Sequence, residues 1–221
     1  MNKLLIEKIQ NSEFEEVAGI LTDAFITNPA YSIIFTGKNQ QREGLLWLFK
    51  TSLFMLNQNR VLTSVIKEKT AGTIIGTFTL IPPQGIKRGI SVYFKTGIPR
   101  FILKFGIKAL FRMLRLDGIN KNTLKEAMQT SEYYLSMVAI IKEYRGKGIG
   151  SHAIKSAIQA LVSSGTACGL LGLTTQLPEN KTFYSRLGFT TLDEGYISFK
   201  GDKYYNYNMK LNFTDIPQQV E

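Results

Sequence analysis

Hydrophobic positions change period several times along the chain, and each change marks an element. A short apolar run from Leu4 to Ile9 suits an edge strand, and Ser12 with Glu15 three residues later has the spacing of a capping box. Phe14, Val17, Ala18, Leu21, Ala24 and Phe25 then recur at helical spacing until Thr27-Asn28-Pro29 stops them. A second helix is predicted over 42–58. Two strand-like runs, 60–68 and 72–81, follow with a turn at 69–72 between them. After Pro82 and Pro83 the pattern becomes helical from Phe101 to Leu116, with a further helix at 121–129.

From Tyr133 the texture changes. Residues 133–141 are rich in aromatic and β-branched side chains, which predicts a strand, and this strand runs into Gly146, Gly148 and Gly150. Ile154, Ala157, Ile158 and Leu161 fall at offsets of three, four and seven, so a helix follows, with Gly165 suited to its C′ position. A strand at 168–175, a short helix at 180–187 closed by Gly188, and strands near 189–197 and 204–211 complete the reading. The fold class is mixed α/β, with strand, glycine loop, helix and strand at its centre. No internal repeat or low-complexity tract is seen.

The chain has 221 residues, 44% of them hydrophobic, enough for the core of one large domain. The apolar stretch near Met1 is too short for a secretory signal, so a cytoplasmic location is expected. The uncharged stretch from Ser156 to Pro178 is broken by three glycines and reads as helix end, turn and strand. Cys168 is the one cysteine, which excludes an internal disulfide and suits a buried reduced thiol. With His152 as the one histidine, no His/Cys metal site is expected.

Net charge is +10, and its distribution is uneven. Between Gln84 and Lys125 stand Lys87, Arg88, Lys95, Arg100, Lys104, Lys108, Arg112, Arg115, Lys121 and Lys125, against Asp117 alone. The basic residues from Arg100 to Arg115 interleave with an apolar stripe at helical spacing, the pattern of an amphipathic helix. Stacking on nucleic acid would need aromatics set apart from that stripe, so a nucleic-acid partner is not expected.

Three glycines at alternate positions beside Arg145 and Lys147 suggest a backbone that must bend unusually or admit a ligand. A dinucleotide fingerprint requires a third glycine where Ser151 stands, and a P-loop requires Ser or Thr directly after its lysine, where this chain has Gly148. Neither fits. A loop of small residues entering a helix still presents free N–H groups and the positive end of the helix dipole, a seat for a pyrophosphate. A tight strand-to-helix turn with no ligand is the alternative.

The run from Val138 to Gly150 resembles the acyl-CoA-binding signature of the GNAT superfamily of N-acyltransferases. Arg145, Gly148 and Gly150 match its Arg/Gln, two residues, Gly, one residue, Gly/Ala spacing. A second block, Asn180 to Phe189, is similar to the later motif of that family. The resemblance covers about 133–211 and implies a central mixed sheet flanked by helices. Residues 84–130 then form a basic helical insertion in a single domain spanning 1–221. It implies acetyl-CoA as cosubstrate, with Val138, Ala139 and Ile140 along the pantetheine. The pyrophosphate is expected on the amides of Arg145, Gly146, Lys147, Gly148, Ile149 and Gly150, with Ser151 at the helix start. Asn180 is expected to bond the pantetheine or to cap the short helix.

The implied reaction is attack of a primary amine on the thioester in a ternary complex, with no covalent enzyme intermediate and no metal. Tyr184 occupies the place of a general acid for the leaving thiolate, and packing is its other reading. Glu132 is a candidate base, and by strand alternation Glu132, Tyr134, Ser136 and Val138 would share a face. The acceptor would be a small-molecule or peptide amine, and the chain a monomer or homodimer. The rival function is a module that binds CoA, a membrane or an acidic partner without turnover. The basic insertion is expected to act as a lid over the acceptor side rather than on a lipid surface, because a large exposed stripe favours aggregation.

Overall fold

The computed structural model describes residues 4–35, 38–59, 61–83, 97–128, 133–164, 169–199 and 201–213. Glu132, Gly165, Cys168 and residues 84–96 of the expected insertion lie outside the described residues.

Seven strands form one sheet in the order β1-β2-β3-β4-β5-β7-β6. They are β1 (Leu4–Lys8), β2 (Leu62–Glu68), β3 (Ile74–Ile81), β4 (Tyr133–Ile140), β5 (Leu170–Thr175), β6 (Thr190–Phe199) and β7 (Asp202–Asn212). Every neighbouring pair is antiparallel except β4 and β5, which are parallel. The helices are α1 (Phe14–Phe25), α2 (Pro29–Ser32), α3 (Lys38–Gln58), α4 (Ile98–Phe105), α5 (Ile107–Met128), α6 (Ile149–Ser163) and α7 (Pro178–Ser185). The mixed sheet flanked by helices is the architecture expected from the sequence, and β1 lies at its edge.

Each face of the sheet has its own apolar layer. On one face Leu135, Leu171, Leu173 and Met209 pack against Ile149, Ala153, Ile154 and Ile158 of α6 and Tyr184 of α7. On the other, Val65, Ala139, Ile197 and Tyr204 meet Val17, Ala18 and Leu21 of α1, Phe49 and Leu53 of α3, Phe101 of α4 and Leu116 of α5. Helix α5 crosses β5, β6 and β7 on this second face.

Of the element boundaries that differ from the sequence reading, three have a clear physical cause. The helix entry is capped two residues early: the Gln10 N–H donates to Glu13 Oε2 at 2.7 Å, opening a 3-10 turn over Asn11–Glu13. Ser12 and Glu15 do not form the box, and Glu15 instead pairs with Lys50 of α3. In the basic segment the break falls at Gly106, whose φ of +81° ends α4, whereas α5 continues through Gly118. A glycine inside a helix costs only about 1 kcal/mol, but a left-handed residue stops one. Helix α7 begins at Pro178 with Leu177 as its N-cap, so Asn180 lies in the first turn and is not the cap. Proline at the first helical position needs no N–H partner, which is why the start moves upstream.

Gly76 on β3 sets how closely β4 can approach. A Cβ there would lie 2.7 Å from the Ala139 carbonyl oxygen and 2.5 Å from Ile140 Cδ1. Backbone cannot yield as a flexible side chain does, so Gly76→Ala is expected to destabilise the fold by about 1–3 kcal/mol. Urea denaturation checks this, and an unchanged midpoint would contradict it.

Candidate active site

Strands β4 and β5 pair only at Tyr133–Leu171 and Tyr134–Gly172 among the described residues. Beyond that level they part, and the edge of β4 from Leu135 to Ile140 has no ladder partner on the β5 side. On its β3 side the ladder slips: Thr77 faces Ala139 while Thr79 faces Ser136, so Phe78 stands opposite both Met137 and Val138. This is a β-bulge, and Met137 adopts φ +50°, the one positive φ at a non-glycine among the described residues. The bulge cancels simple alternation. Val138 and Ile140 pack on the α6 side with Leu135, while Met137 and Ala139 face α1, so Ser136 and Val138 do not share a face. Backbone strain of this kind persists only where the surroundings over-determine it, and it gathers at functional sites.

The chain leaves β4 through a 3-10 turn at Lys142–Tyr144 and enters the glycine loop. Gly146 and Gly148 adopt φ of +74° and +75°, conformations an L side chain takes only at a cost of roughly 1–2 kcal/mol. Gly148 is the N-cap of α6, and the His152 N–H donates to its carbonyl at 3.0 Å. The N–H groups of Ile149, Gly150 and Ser151 precede that bond and have no acceptor within the helix. They leave the helix start rich in donors, where its dipole favours an anion.

The basic side chains frame the loop differently. Arg145 folds back: its backbone N–H donates to the Lys142 carbonyl at 3.2 Å and so is not open to a phosphate as the sequence reading expected, and its Nε donates to the Ile140 carbonyl at 2.8 Å, which fastens the loop to the end of β4. Lys147 Nζ stands 4.8 Å from the centre of the Tyr144 ring. The Tyr144 hydroxyl donates to Glu68 Oε2 of β2 at 3.1 Å, and that bond raises the Tyr144 pKa.

Gly150 is where three elements converge. A Cβ there would be 3.5 Å from Ile140 Cγ1 of β4 and 3.5 Å from Phe183 Cζ of α7. Next to Phe183, Tyr184 lies in the apolar layer, 8% exposed, with Phe183 and Phe189 ring centres at 5.0 and 5.6 Å. Burial, and secondarily the Tyr134 hydroxyl of β4, push its pKa well above the ordinary phenol value. Tyr184 is therefore a neutral O–H donor across the physiological range. Asn180 donates to Thr175 Oγ1 at 3.1 Å, tying the first turn of α7 to the end of β5. The loop residues, Ile140, Gly150 and α7 are thus brought together.

A chain of amides holds the far side of the split. The Ala30 N–H donates to Asn28 Oδ1 at 3.0 Å, so Asn28 Nδ2 must be the donor to Gln176 Oε1 at 3.0 Å. The same logic carries on: Gln176 Nε2 donates to Asn206 Oδ1 at 2.8 Å and Asn206 Nδ2 to Asn208 Oδ1 at 3.1 Å. Thr174 Oγ1 reaches the same oxygen at 2.9 Å, and Asn208 Nδ2 ends the chain without an acceptor among the described residues. The network clamps the turn after α1 onto β5 and β7, where β5 has left β4. Sequence pattern missed it, although polar residues alternating along β7 at Asn206 and Asn208 were a signal. Asn28→Ala is expected to cost about 1–3 kcal/mol, because Gln176 Oε1 is left without its donor. A melting temperature lowered by roughly 2–10 °C would show it, and an unchanged one would refute the clamp.

A parallel strand pair that parts beside a glycine-rich helix start is the arrangement implied by the resemblance of 138–150 and 180–189 to the GNAT motifs, and comparison with known proteins bears on it. Residues 114–191 match the acetyltransferase (GNAT) domain. The chain is 41% identical over 64 residues to the N-alpha-acetyltransferase MAK3 of Arabidopsis thaliana, a stretch that is 28% of this chain and 32% of that protein. It therefore spans about a third of the length of this relative. Among solved structures, a histone acetyltransferase HPA2 and related acetyltransferase of Corynebacterium glutamicum superposes with a TM-score of 0.63 at 18% identity, covering 94% of this chain and 95% of the other. The Salmonella typhimurium protein yncA, with its cofactor acetyl-CoA, superposes at 0.54 and 12% identity, covering 99% of each chain. At such identities the likeness is one of fold. The domain match spans about a third of the chain, and over nearly its whole length the chain shares the fold of these acetyltransferase structures.

Proposed function

We propose that the protein is an acetyl-CoA-dependent N-acetyltransferase acting on a primary amine. The observation that carries this reading is the loop from Arg145 to Ser151. Two left-handed glycines there aim unbonded N–H groups beside a strand whose edge is open. In this reading the pyrophosphate sits on the amides of Gly146 to Ser151, with Arg145 and Lys147 adding positive charge. The pantetheine lies along the open edge of β4 and pairs with the backbone of Val138 and Ile140 as an added strand would, with Ala139 between them bonded towards β3. The thioester then reaches the split between β4 and β5.

The amine nitrogen attacks the thioester carbonyl carbon, forming a C–N bond and a tetrahedral oxyanion. Collapse breaks the C–S bond, the electron pair leaves on sulfur, and the Tyr184 hydroxyl gives the thiolate its proton. The amine proton leaves to a base, for which Glu132 is the candidate, or to water. Burial keeps the Tyr184 hydroxyl protonated but also weakens it as an acid, so in this reading the transfer relies on the hydroxyl's proximity to the sulfur rather than on its pKa. Asn180 steadies α7 behind it through Thr175. The whole chain acts as one domain, with the basic segment as an insertion, in a cytoplasmic setting.

The test is free-thiol release from acetyl-CoA in the presence of polyamines, aminoglycosides, amino acids and peptides. At least one amine is expected to raise CoA release well above the no-amine rate. If acetyl-CoA binds and no amine in the panel does so, the chain is a CoA-binding module without turnover.

A further inference from the structure

The basic insertion carries an apolar stripe that acetyl transfer does not use. Phe101 of α4 and Ala109 and Leu116 of α5 are buried in the core, and Phe105, Leu110 and Met113 pack against it. Those residues cover the second face of the sheet. A different set faces outward: Ile107, Phe111 and Leu114 of α5 are 66%, 53% and 45% exposed, and Leu103 of α4 is 88% exposed. Offsets of four and three place Ile107, Phe111 and Leu114 on one line along the helix. Lys108 and Arg112, each one residue beyond Ile107 and Phe111, run as a second line beside it. From Gly97 to Leu116 the chain has five basic residues and no acidic one. Lys104 pairs with Glu43 of α3 at 3.0 Å.

We propose that α4 and α5 dock this surface on an anionic lipid membrane. Exposed isoleucine, leucine and phenylalanine leave water by sinking to the level where headgroups meet acyl chains. The adjacent lysine and arginine stems lie flat and place their charges among lipid phosphates. Charge decides among the occupants of such a stripe. A second copy would bring its own row of cations against this one, which opposes self-association. Nucleic acid would answer the charge, but aliphatic side chains offer its bases nothing to stack on. An anionic bilayer satisfies both lines at once. Attachment is peripheral, since no helix among the described residues is long and apolar enough to cross a membrane. The inner side of α5 lies over β5, β6 and β7, so the docked protein turns this face of the sheet to the lipid and keeps α6 on the other.

The inference is independent of acetyl transfer and is tested by cosedimentation of the full chain with vesicles. Equimolar phosphatidylglycerol and phosphatidylcholine is compared with phosphatidylcholine alone. Binding is expected to the anionic mixture at low salt, weakly to phosphatidylcholine, and to decline as sodium chloride rises. The triple variant Arg100→Gln, Lys108→Gln, Arg112→Gln is expected to partition on the order of 100-fold more weakly. The variant Leu103→Ser, Ile107→Ser is expected to lose binding while its far-ultraviolet circular dichroism and melting temperature, which report a folded protein, match those of the parent. The proposal is overturned if the parent chain fails to sediment with the anionic vesicles or if both variants bind as it does. It is also overturned if sedimentation velocity shows a dimer that the serine variant dissolves, for then a second copy covers the stripe.

Discussion

Replacing Gly148 by valine is expected to abolish acetyl-CoA binding and to leave a folded protein. Gly148 holds φ +75° at the N-cap of α6, and a β-branched residue is poorly suited to that region. Remaining there would cost roughly 1–2 kcal/mol, a tolerable loss for a chain with two well-filled apolar layers. Rotating out of it would swing the Ile149 and Gly150 N–H groups away from the anion they are proposed to bind. Each N–H to phosphate bond is worth about 1.5–3 kcal/mol, so losing two weakens binding on the order of 100-fold or more. Gly150→Ala is the informative companion. Its Cβ meets Ile140 and Phe183 at ordinary contact distance, so stability is expected to hold, and any fall in affinity reports ligand pressed against the backbone. Calorimetry gives the affinities and circular dichroism the fold. A Gly148→Val protein that binds acetyl-CoA like the parent would reduce the loop to a tight turn.

Tyr184→Phe is expected to lower turnover on the order of 10²-fold or more with little change in acetyl-CoA affinity. The substitution keeps the ring, so packing against Phe183 and Phe189 persists and stability is expected to change little. The pH profile adds a second reading. Burial raises the Tyr184 pKa, so its acid form persists as pH rises, and this group alone is expected to cause no loss of rate on the alkaline side. The variant profile is then expected to keep its shape at reduced height. Unchanged turnover, with chemistry shown to limit the rate, would reassign Tyr184 to the core.

Much of this architecture was legible because period and punctuation agree with it locally. The strand at Tyr133, the glycines after it and the apolar spacing of α6 each point to the same strand-loop-helix unit, and such agreement marks a well-specified segment. The Met137 bulge was illegible. It depends on Phe78 of β3 standing opposite two residues of β4, a pairing between distant segments that no local pattern encodes. The amide chain was hidden for the same reason. Asn28 reads as a helix stop, and only the folded chain brings Gln176 to it, 148 residues further on. In the basic segment the amphipathic pattern was plain, yet periodicity could not say that one apolar side would be buried and another exposed. Tertiary packing made that division, because α5 has only one side to lay on β5, β6 and β7.

Titration of acetyl-CoA into the full chain by isothermal calorimetry asks whether the loop at 145–151 holds the cosubstrate at all. Saturable one-to-one binding at micromolar concentrations is expected, weakened by added salt as phosphate contacts are screened and lost in Gly148→Val. Absence of any binding heat, together with an unshifted melting temperature at millimolar acetyl-CoA, would contradict it.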